Sequence, residues 1–289
     1  MPSPASPAVA ELELTYRIRA RRLELGKKAA EVSKALDFSS NYWSAVENGR
    51  TLLAPGKLDQ LVELFEFDAE EGSELKKLLS LAKGRRWWTH YATILDDELM
   101  LLHGLEYGAE WIETYEGYFV SGLLQTDAYA AELFKMSPEV SVTTAKQRWE
   151  FRQRRQRRLR GPDPLRLTVL MSETVLMQQF GPPEVLRDQL SHLAQLIAEL
   201  STLEVRIAPF DRTPGGMAGS STTHLLHFKS EHVPVMVWRE SITPLGLMDD
   251  PEEVETISVN YNQAWQSSLS PEASLELIGE RIEDLSRSI

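Results

Sequence analysis

The stretch Lys28–Arg50, KAAEVSKALDFSSNYWSAVENGR, decides the fold of the N-terminal part of the chain. Apolar residues recur at helical spacing on both sides of a three-residue break. The pattern therefore predicts one helix over about Lys28–Leu36 and a second over about Ser40–Asn48. A serine before the second helix suits an N-cap, and a glycine after it suits a helix end. Two helices joined by so short a turn are typical of a helix-turn-helix unit, whose second helix lies in the DNA major groove.

Other side chains of this unit are predicted to be structural. Phe38, Trp43 and Val46 can fill the small core beneath the helix pair, and Ser33 keeps the crossing point small. Asp37 occupies the turn, where a left-handed backbone is often needed and Asp is tolerated better than most residues. A plain helical hairpin that serves only as scaffold is the alternative interpretation.

The outward face of the second predicted helix carries short polar or flat side chains that can approach base edges. Asn pairs bidentately with adenine, and Ser can form hydrogen bonds to either kind of base. The lysines before the unit and the arginine after it suit phosphate contacts, which position a protein on DNA without specifying sequence. The predicted DNA contacts are Lys27, Lys28, Ser39, Ser40, Asn41, Tyr42, Ser44, Ala45, Asn48 and Arg50.

The overall acidity of the chain argues against nucleic-acid binding until the charge is divided along the sequence. There are 31 Lys+Arg against 43 Asp+Glu, a formal net charge of -12. Residues 12–57, however, hold nine basic and five acidic side chains, whereas residues 89–289 hold 17 basic and 30 acidic ones. Phosphate contacts need basic surface. The N-terminal part therefore remains a DNA-binding candidate, and the acidity of the rest favours a basic partner over an acidic one.

The composition of the chain and the breaks between its helical and strand patterns divide the 289 residues into two domains. Residues 1–11 begin with prolines and small residues and are expected to form a disordered tail. Residues 12–82 show five short helical patterns and form the predicted helix-turn-helix domain, and residues 83–88 have the composition of a linker. Residues 89–289 mix helical with strand patterns. We therefore expect an all-α N-terminal domain followed by a larger α/β domain with a mixed sheet and helices.

Within the C-terminal domain, helical periodicity and strand-like runs follow each other irregularly. Helices are predicted near residues 91–103, 126–135, 142–159, 183–200, 251–267 and 271–286. Strands are predicted over Leu165–Met171, Val205–Phe210, Thr223–Phe228 and Val233–Arg239, with a glycine-containing loop over Thr213–Ser221.

A basic run at residues 146–160 interrupts this acidic domain. Arg152, Arg155 and Gln156 share one helical face, for which we favour a structural role with Glu173 as the candidate ion-pair partner. Binding of an anionic ligand or a partner protein by these four residues is the alternative. The other arginines are expected to be solvated, and a second DNA-contacting surface is the remaining interpretation. These are Arg154, Arg157, Arg158 and Arg160.

Several functional classes are excluded or disfavoured. The chain has no Cys, which excludes disulfides, iron–sulfur clusters and thiol catalysis. No apolar run approaches the length of a membrane helix and the first residues lack a signal-peptide pattern, so a cytoplasmic location without membrane contact is expected. His224 and His227 would point to opposite faces of a strand. With no recognisable catalytic set, we expect no metal, no cofactor and no enzymatic activity.

The N-terminal residues resemble a known family. The segment Ser39–Arg50, which ends in SAVENGR, is similar to the recognition helix of Xre/Cro-type repressors, and Ile18-Arg19-x-x-Arg22 falls where the first helix of that family has its pattern. Two positions depart from the family. Lys28-Ala29 stands where Thr/Ser-Gln is common, and Asp37 stands where the turn often has Gly. The resemblance implies sequence-specific binding to an operator, and a two-fold operator predicts a homodimer.

The C-terminal residues resemble a large group of actinobacterial regulators, the WhiJ-like or antitoxin-like group. The stretch SGLLQT at residues 121–126 is similar to their PGLLQT signature, with Ser121 in place of Pro, and Arg152-x-x-Arg155-Gln156 is a further match. The resemblance implies repression in morphological development or antibiotic control, together with a small partner protein encoded alongside. The alternative is an antitoxin-like interaction protein that neutralises a small cognate protein and autoregulates its own operon.

Overall fold

The computed structural model describes residues 5–136, 142–212, 214–240 and 246–289. Its N-terminal part contains the five helices that the sequence predicts. They enclose a core in which Trp43 and Phe65 meet edge to face, with ring centroids 6.3 Å apart. The helices are α1 (Pro7–Glu24), α2 (Ala29–Ala35), α3 (Ser40–Glu47), α4 (Pro55–Leu64) and α5 (Ala69–Ala82).

The C-terminal part is a mixed sheet with helices on both faces, which confirms the predicted fold class. Its described helices are α6 (Asp97–Gly108), α7 (Asp127–Lys135), α8 (Val142–Gln156), α9 (Thr174–Met177), α10 (Pro183–Glu199), α11 (Pro251–Ser267) and α12 (Pro271–Ser288). Its described strands are β1 (Trp111–Glu116), β2 (Arg166–Ser172), β3 (Leu203–Ala208), β4 (Thr223–His227), β5 (Met236–Arg239) and β6 (Gly246–Met248).

The strand order is β3-β2-β1-β4-β5-β6. Strands β1, β2 and β3 pair in parallel, and β4, β5 and β6 continue the sheet in antiparallel pairs. The larger core lies on the face covered by α6, α10 and α12, and a smaller core lies on the opposite face beneath α11. Among the residues that the structure describes, no helix combines the length and apolar character that crossing a bilayer requires.

Two strands were not predicted, and the reasons differ. Strand β1 lies in the middle of the sheet, yet it carries Glu113 and Glu116, which are side chains that rarely occupy a buried strand. Both are accommodated by partners from distant segments: His227 contacts Glu113, and Thr222 donates to Glu116. Strand β6 has only three described residues and begins at Gly246 with φ +77°. So short a run carries no periodicity signal.

Helix α1 belongs to both parts of the molecule, which corrects the expected disordered tail. Residues 1–4 lie outside the described residues, but α1 begins at Pro7, and Ala8 is buried in the core of the C-terminal part. Further along the helix, Ile18 is buried in the N-terminal core. Proline suits a first helical turn because its missing N–H would have no helical partner there. Docking of α1 on α6, which sequence pattern does not reveal, orders this end of the chain.

The expected linker, residues 83–88, is likewise packed against the rest of the molecule. Trp88 lies in the 3₁₀ turn Trp87–Tyr91 and is 2% exposed within the larger core. Arg86 forms an ion pair with Glu11 of α1. The segment between the two domains is therefore held by a buried side chain and an ion pair.

The contact between α1 and α6 depends on two glycines one turn apart. A Cβ added at Gly104 would lie 2.7 Å from the Ala8 Cβ and 2.7 Å from the Trp88 ring, and one added at Gly108 would lie 2.5 Å from the Ser6 Cβ. The Ser6 hydroxyl donates a hydrogen bond of 2.6 Å to the Gly104 carbonyl oxygen. Small residues are thus required where the two helix backbones approach each other.

We predict that Gly104→Ala lowers the free energy of unfolding by about 1–3 kcal/mol, because overpacking outweighs the better helix propensity of Ala. The matched control is Gly279→Ala in α12, where an added Cβ meets nothing within 4 Å. That variant is expected to raise the same free energy by up to about 1 kcal/mol. Urea unfolding measures both. Equal effects at the two glycines would contradict the close packing of α1 on α6.

Candidate functional site

The turn between α2 and α3 has the backbone geometry that the sequence predicts. Asp37 has φ +55°, in the left-handed region. The next residue, Phe38, donates its N–H to the Ser33 carbonyl oxygen at 2.8 Å, which closes a Schellman-type helix end. The Lys57 ammonium group donates to the Leu36 carbonyl oxygen at 2.7 Å. These contacts satisfy the carbonyls at the end of α2 and hold α3 at a defined angle.

Helix α3 is held by its buried face and by both of its ends. Trp43 and Val46 are buried, as predicted. The Ser39 hydroxyl accepts a hydrogen bond from the Tyr42 N–H at 3.1 Å, so Ser39 is the N-cap. Glu47 forms an ion pair with Arg22 of α1, which ties α3 directly to the first helix.

The predicted DNA contacts lie on the surface. Ser40 and Ser44 of α3 and Asn48, the residue that ends the helix, follow each other at intervals of four residues, which places them on one helical stripe. Asn48 donates to the Ser44 carbonyl oxygen at 2.7 Å. The exposed members of the set are Lys28, Ser39, Ser40, Asn41, Ser44, Asn48 and Arg50, and the half-buried ones are Lys27, Tyr42 and Ala45. The arrangement is a polar helix face between cationic side chains, which is the kind of surface that enters a major groove.

The second candidate site is a cavity of about 300 Å³ in the C-terminal domain. It lies between the sheet, α6, α7, α8 and the turn before α7. Its lining includes the aromatic side chains Phe119 and Phe134. It also includes charged groups, among them Glu106, Arg152 and Arg155. A neighbouring cavity of about 370 Å³ shares Phe134 and both arginines. The sequence singled out the two arginines but not the cavity, because the lining comes from segments far apart in the chain.

Arg155 makes a buried, two-pronged ion pair with Glu106 of α6. Its Nε and Nη2 atoms donate to the two carboxylate oxygens at 2.8 and 2.6 Å. Burial would raise the pKa of Glu106, but the Arg155 guanidinium outweighs it and holds this pKa at about 2. The pair anchors α8 to α6. The favoured structural role for the Arg152 face therefore fits Arg155, with Glu106 rather than Glu173 as the partner.

Arg152, one turn earlier, has no carboxylate partner among the described residues. Its Nη1 atom donates to the Gln125 side-chain oxygen and, at 3.4 Å, to the Gly122 carbonyl oxygen. Its guanidinium lies over the Phe134 ring, 5.2 Å from the centroid. Its buried Nε atom has no hydrogen-bond partner within the described parts of the chain. Burial, reinforced by the nearby charge of Arg155, lowers the pKa of Arg152 to about 10.

Three other expectations for this region have mixed outcomes. Gln156 faces inward and donates to the Gln125 carbonyl oxygen at 2.8 Å. Glu173 does not form the expected ion pair, because its carboxylate accepts the Phe210 N–H at 2.7 Å, away from the cavity. Arg158 is not solvated as expected: it is buried and donates to the carbonyl oxygens of Tyr107, Asp163 and Ala109. No periodicity signal marks an arginine that binds only backbone.

A chain of hydrogen bonds crosses the floor of the cavity. The His224 ring contacts the Thr114 hydroxyl at 2.8 Å, and Thr114 donates to Glu116 at 3.2 Å. Thr222 donates to the other oxygen of Glu116 at 2.7 Å. Burial raises the pKa of Glu116 to about 8 despite these donors. Burial also lowers the pKa of His224. Near pH 7 both groups are therefore neutral.

The histidines do not form a metal site in the described parts of the chain. His224 and His227 point to opposite faces of β4, as predicted, and His227 contacts Glu113 at 2.8 Å. No cluster of three potential metal-ligating side chains occurs among the residues described.

Comparison with protein families identifies both domains. A family model described as a domain of unknown function (DUF5753) matches residues 99–280, which is more than half of the chain. A second family model, described as a helix-turn-helix domain, matches residues 13–75 and confirms the helix-turn-helix prediction. The comparisons with curated proteins and with solved structures give no match.

We predict that Arg155→Met lowers the free energy of unfolding by about 3–5 kcal/mol, because it leaves the Glu106 carboxylate buried without a partner. The double variant Arg155→Met/Glu106→Leu should recover most of that loss. The matched control is Arg160→Met, which breaks the exposed ion pair with Glu199 and should lower the free energy of unfolding far less, because solvent screens that pair. Urea unfolding provides the comparison. A loss at Arg155 as small as that at Arg160 would refute the role of the buried pair.

The raised pKa of Glu116 predicts a specific dependence of stability on pH. The folded chain holds this proton from the ordinary pKa of 4.5 up to about 8, while the unfolded chain has lost it. Stability therefore falls as pH rises through this interval, by about 1.4 kcal/mol per pH unit for this group alone.

Glu116→Gln should remove that slope and raise the melting temperature most at pH 8, since an amide can still accept from Thr222. Glu255→Gln, an exposed carboxylate on α11, is the control and should leave the slope unchanged. Thermal unfolding between pH 5 and pH 8 checks both variants. Parallel curves for wild type and Glu116→Gln would contradict the raised pKa.

Proposed function

Since the chain belongs to the family defined by the DUF5753 domain and carries a helix-turn-helix domain in front of it, we propose that it is a sequence-specific transcriptional repressor. The observation that carries the proposal is the exposed stripe of Ser40, Ser44 and Asn48 on a helix fixed at both ends. The resemblance to Xre-type and WhiJ-like regulators supports it. Its DNA target implies that the protein acts in the cytoplasm.

In this proposal, α3 enters the major groove, and the side chains of the helix-turn-helix unit make two kinds of contact with DNA. Asn41 and Ser44 reach base edges and supply sequence preference. Lys28 and Arg50, at the start of α2 and after α3, contact phosphates and supply affinity for any sequence. A homodimer would place two such helices about 34–36 Å apart, one turn of DNA, on a two-fold operator. The acidity of residues 89–289 keeps non-specific affinity low, because it repels the phosphate backbone.

We also propose that the C-terminal domain adjusts operator affinity by binding an effector. The cavity favours a small molecule over a protein, because a concave space of about 300 Å³ suits a compact ligand. The alternative, an antitoxin-like role, requires a small basic protein that binds the acidic domain. Co-purification of such a protein with the full chain would favour the alternative. Removal of residues 1–88 is unsuitable for that test, since it would take Ala8 and Trp88 out of the larger core.

The direct test is footprinting on the promoter of the chain's own gene, together with selection of bound sequences from a random pool. The double variant Asn41→Ala/Ser44→Ala should lose at least about tenfold in affinity for the selected site, at about 1–3 kcal/mol per base contact. Its affinity for random DNA should stay unchanged. Lys28→Gln should weaken both kinds of binding and reduce the salt dependence by about one counterion.

Ser80→Ala, an exposed position on α5, is the control and should bind like the wild type. If the pool yields no preferred sequence, or if Asn41→Ala/Ser44→Ala retains full specific affinity, the assignment of α3 as the reading helix is wrong.

A further inference from the structure

We propose that the C-terminal cavity binds a small amphipathic molecule whose anionic group is held by Arg152 and whose apolar body lies against Phe119 and Phe134. The binding site stands on its own geometry. Only the role of this molecule as the effector of DNA binding rests on the proposed function.

An arginine that lacks a counter-charge indicates where the anionic group of the ligand binds. Arg152 is half-buried. Even partial removal of an unpaired charge from water is costly, and native proteins compensate buried charges with partners. Arg152 is held in place by neutral oxygens of Gln125 and Gly122 only. Gln125 is itself fixed, because its amide donates to the Val120 carbonyl oxygen at 2.6 Å. The guanidinium is therefore positioned by buried neighbours while its charge stays uncompensated within the described residues.

A second arginine lies beside Arg152, in the lining of the neighbouring cavity. Arg148, one turn before Arg152 on α8, lies over the Phe134 ring at 5.7 Å, and its buried Nε atom also lacks a partner among the described residues. The two guanidinium groups thus flank one aromatic ring. A bidentate acceptor such as a carboxylate or a phosphate matches the fork geometry of arginine better than a neutral group does.

The acidic groups around the cavity do not supply the missing charge. Glu106 is bonded to Arg155. Glu116 is neutral near pH 7, because burial raises its pKa to about 8. Asp127 and Glu240 are exposed, and neither lies within ion-pair distance of Arg152. Asp127 attracts Arg152 only at longer range, so Arg152 has no ion-pair partner among the described residues.

Much of the remaining lining of the cavity is apolar. Leu102, Ile112, Leu123 and Leu226 line the cavity together with the aromatic rings. Burying apolar surface against these side chains contributes roughly 25 cal/mol per Å², so a ligand with an apolar body gains affinity there. A monocarboxylate or a phosphate monoester with one apolar tail fits both the arginine and the apolar lining.

The test uses the full chain and three probes with the same tail: decanoate, decyl phosphate and the neutral decanamide, each below its micelle-forming concentration. Thermal unfolding and calorimetric titration report binding without DNA, so a failure of the proposed DNA function leaves the result intact. At a hundredfold excess over Kd, an anionic probe should raise the melting temperature by about 5 °C or more. Decanamide should bind at least about tenfold more weakly.

The pattern across the probes separates the possible sources of the anion. Stabilisation by decanoate alone assigns a carboxylate ligand, stabilisation by decyl phosphate alone assigns a phosphate ester, and stabilisation by both supports the shared anion site. Equal binding of decanamide would overturn the role of Arg152. The absence of any shift with all three probes would overturn the proposal.

Variants locate the site. Arg152→Met should weaken binding of the anionic probes at least about tenfold, while Arg157→Met, an exposed arginine just beyond α8, should bind like the wild type. Leu133→Trp fills the cavity from α7 and should block every probe without removing a charge. Far-UV circular dichroism verifies that each variant folds. If Leu133→Trp binds the anionic probes normally, the ligand lies elsewhere and the proposal is wrong.

Discussion

The close approach of α1 and α6 at Gly104 and Gly108 is the constraint on which the rest of the arrangement depends. Because neither position has room for a Cβ, Ala8 packs directly on Gly104, and Ser6 and Val9 pack directly on Gly108. Helix α1 then continues into the N-terminal core, where Ile18 is buried. The helix-turn-helix domain is therefore joined to the C-terminal domain by one continuous helix, which contributes to the cores of both.

A second constraint is charge kept away from water inside the C-terminal domain. Arg155 and Glu106 satisfy each other, and Glu116 avoids ionisation at neutral pH through its raised pKa. Arg152 has neither solution within the described residues. Buried polar groups that are all satisfied make a rigid interior, whereas an unsatisfied buried group requires an explanation such as a bound water or ion. The cavity is thus defined by the electrostatics of its lining as much as by its shape.

The features that the sequence predicted are those determined locally. The turn at Asp37, the N-cap at Ser39 and the burial of Trp43 follow from side chains within a few residues of each other, and the structure has all three. Strand β1 escaped prediction because the partners of its glutamates lie more than 100 residues away. The burial of Arg158 was not predicted for a similar reason, since its partners are backbone carbonyls that no sequence pattern identifies.

Helix α6 connects the two candidate sites physically. One side of it faces the cavity through Leu102 and Glu106, and another seats α1 at Gly104 and Gly108. Helix α1 in turn holds α3 through the ion pair of Arg22 with Glu47. A ligand changes DNA affinity only if it binds two arrangements of this path unequally. Because the close packing at Gly104 and Gly108 cannot compress, two such arrangements would have to differ by a sliding or a separation of α1 and α6.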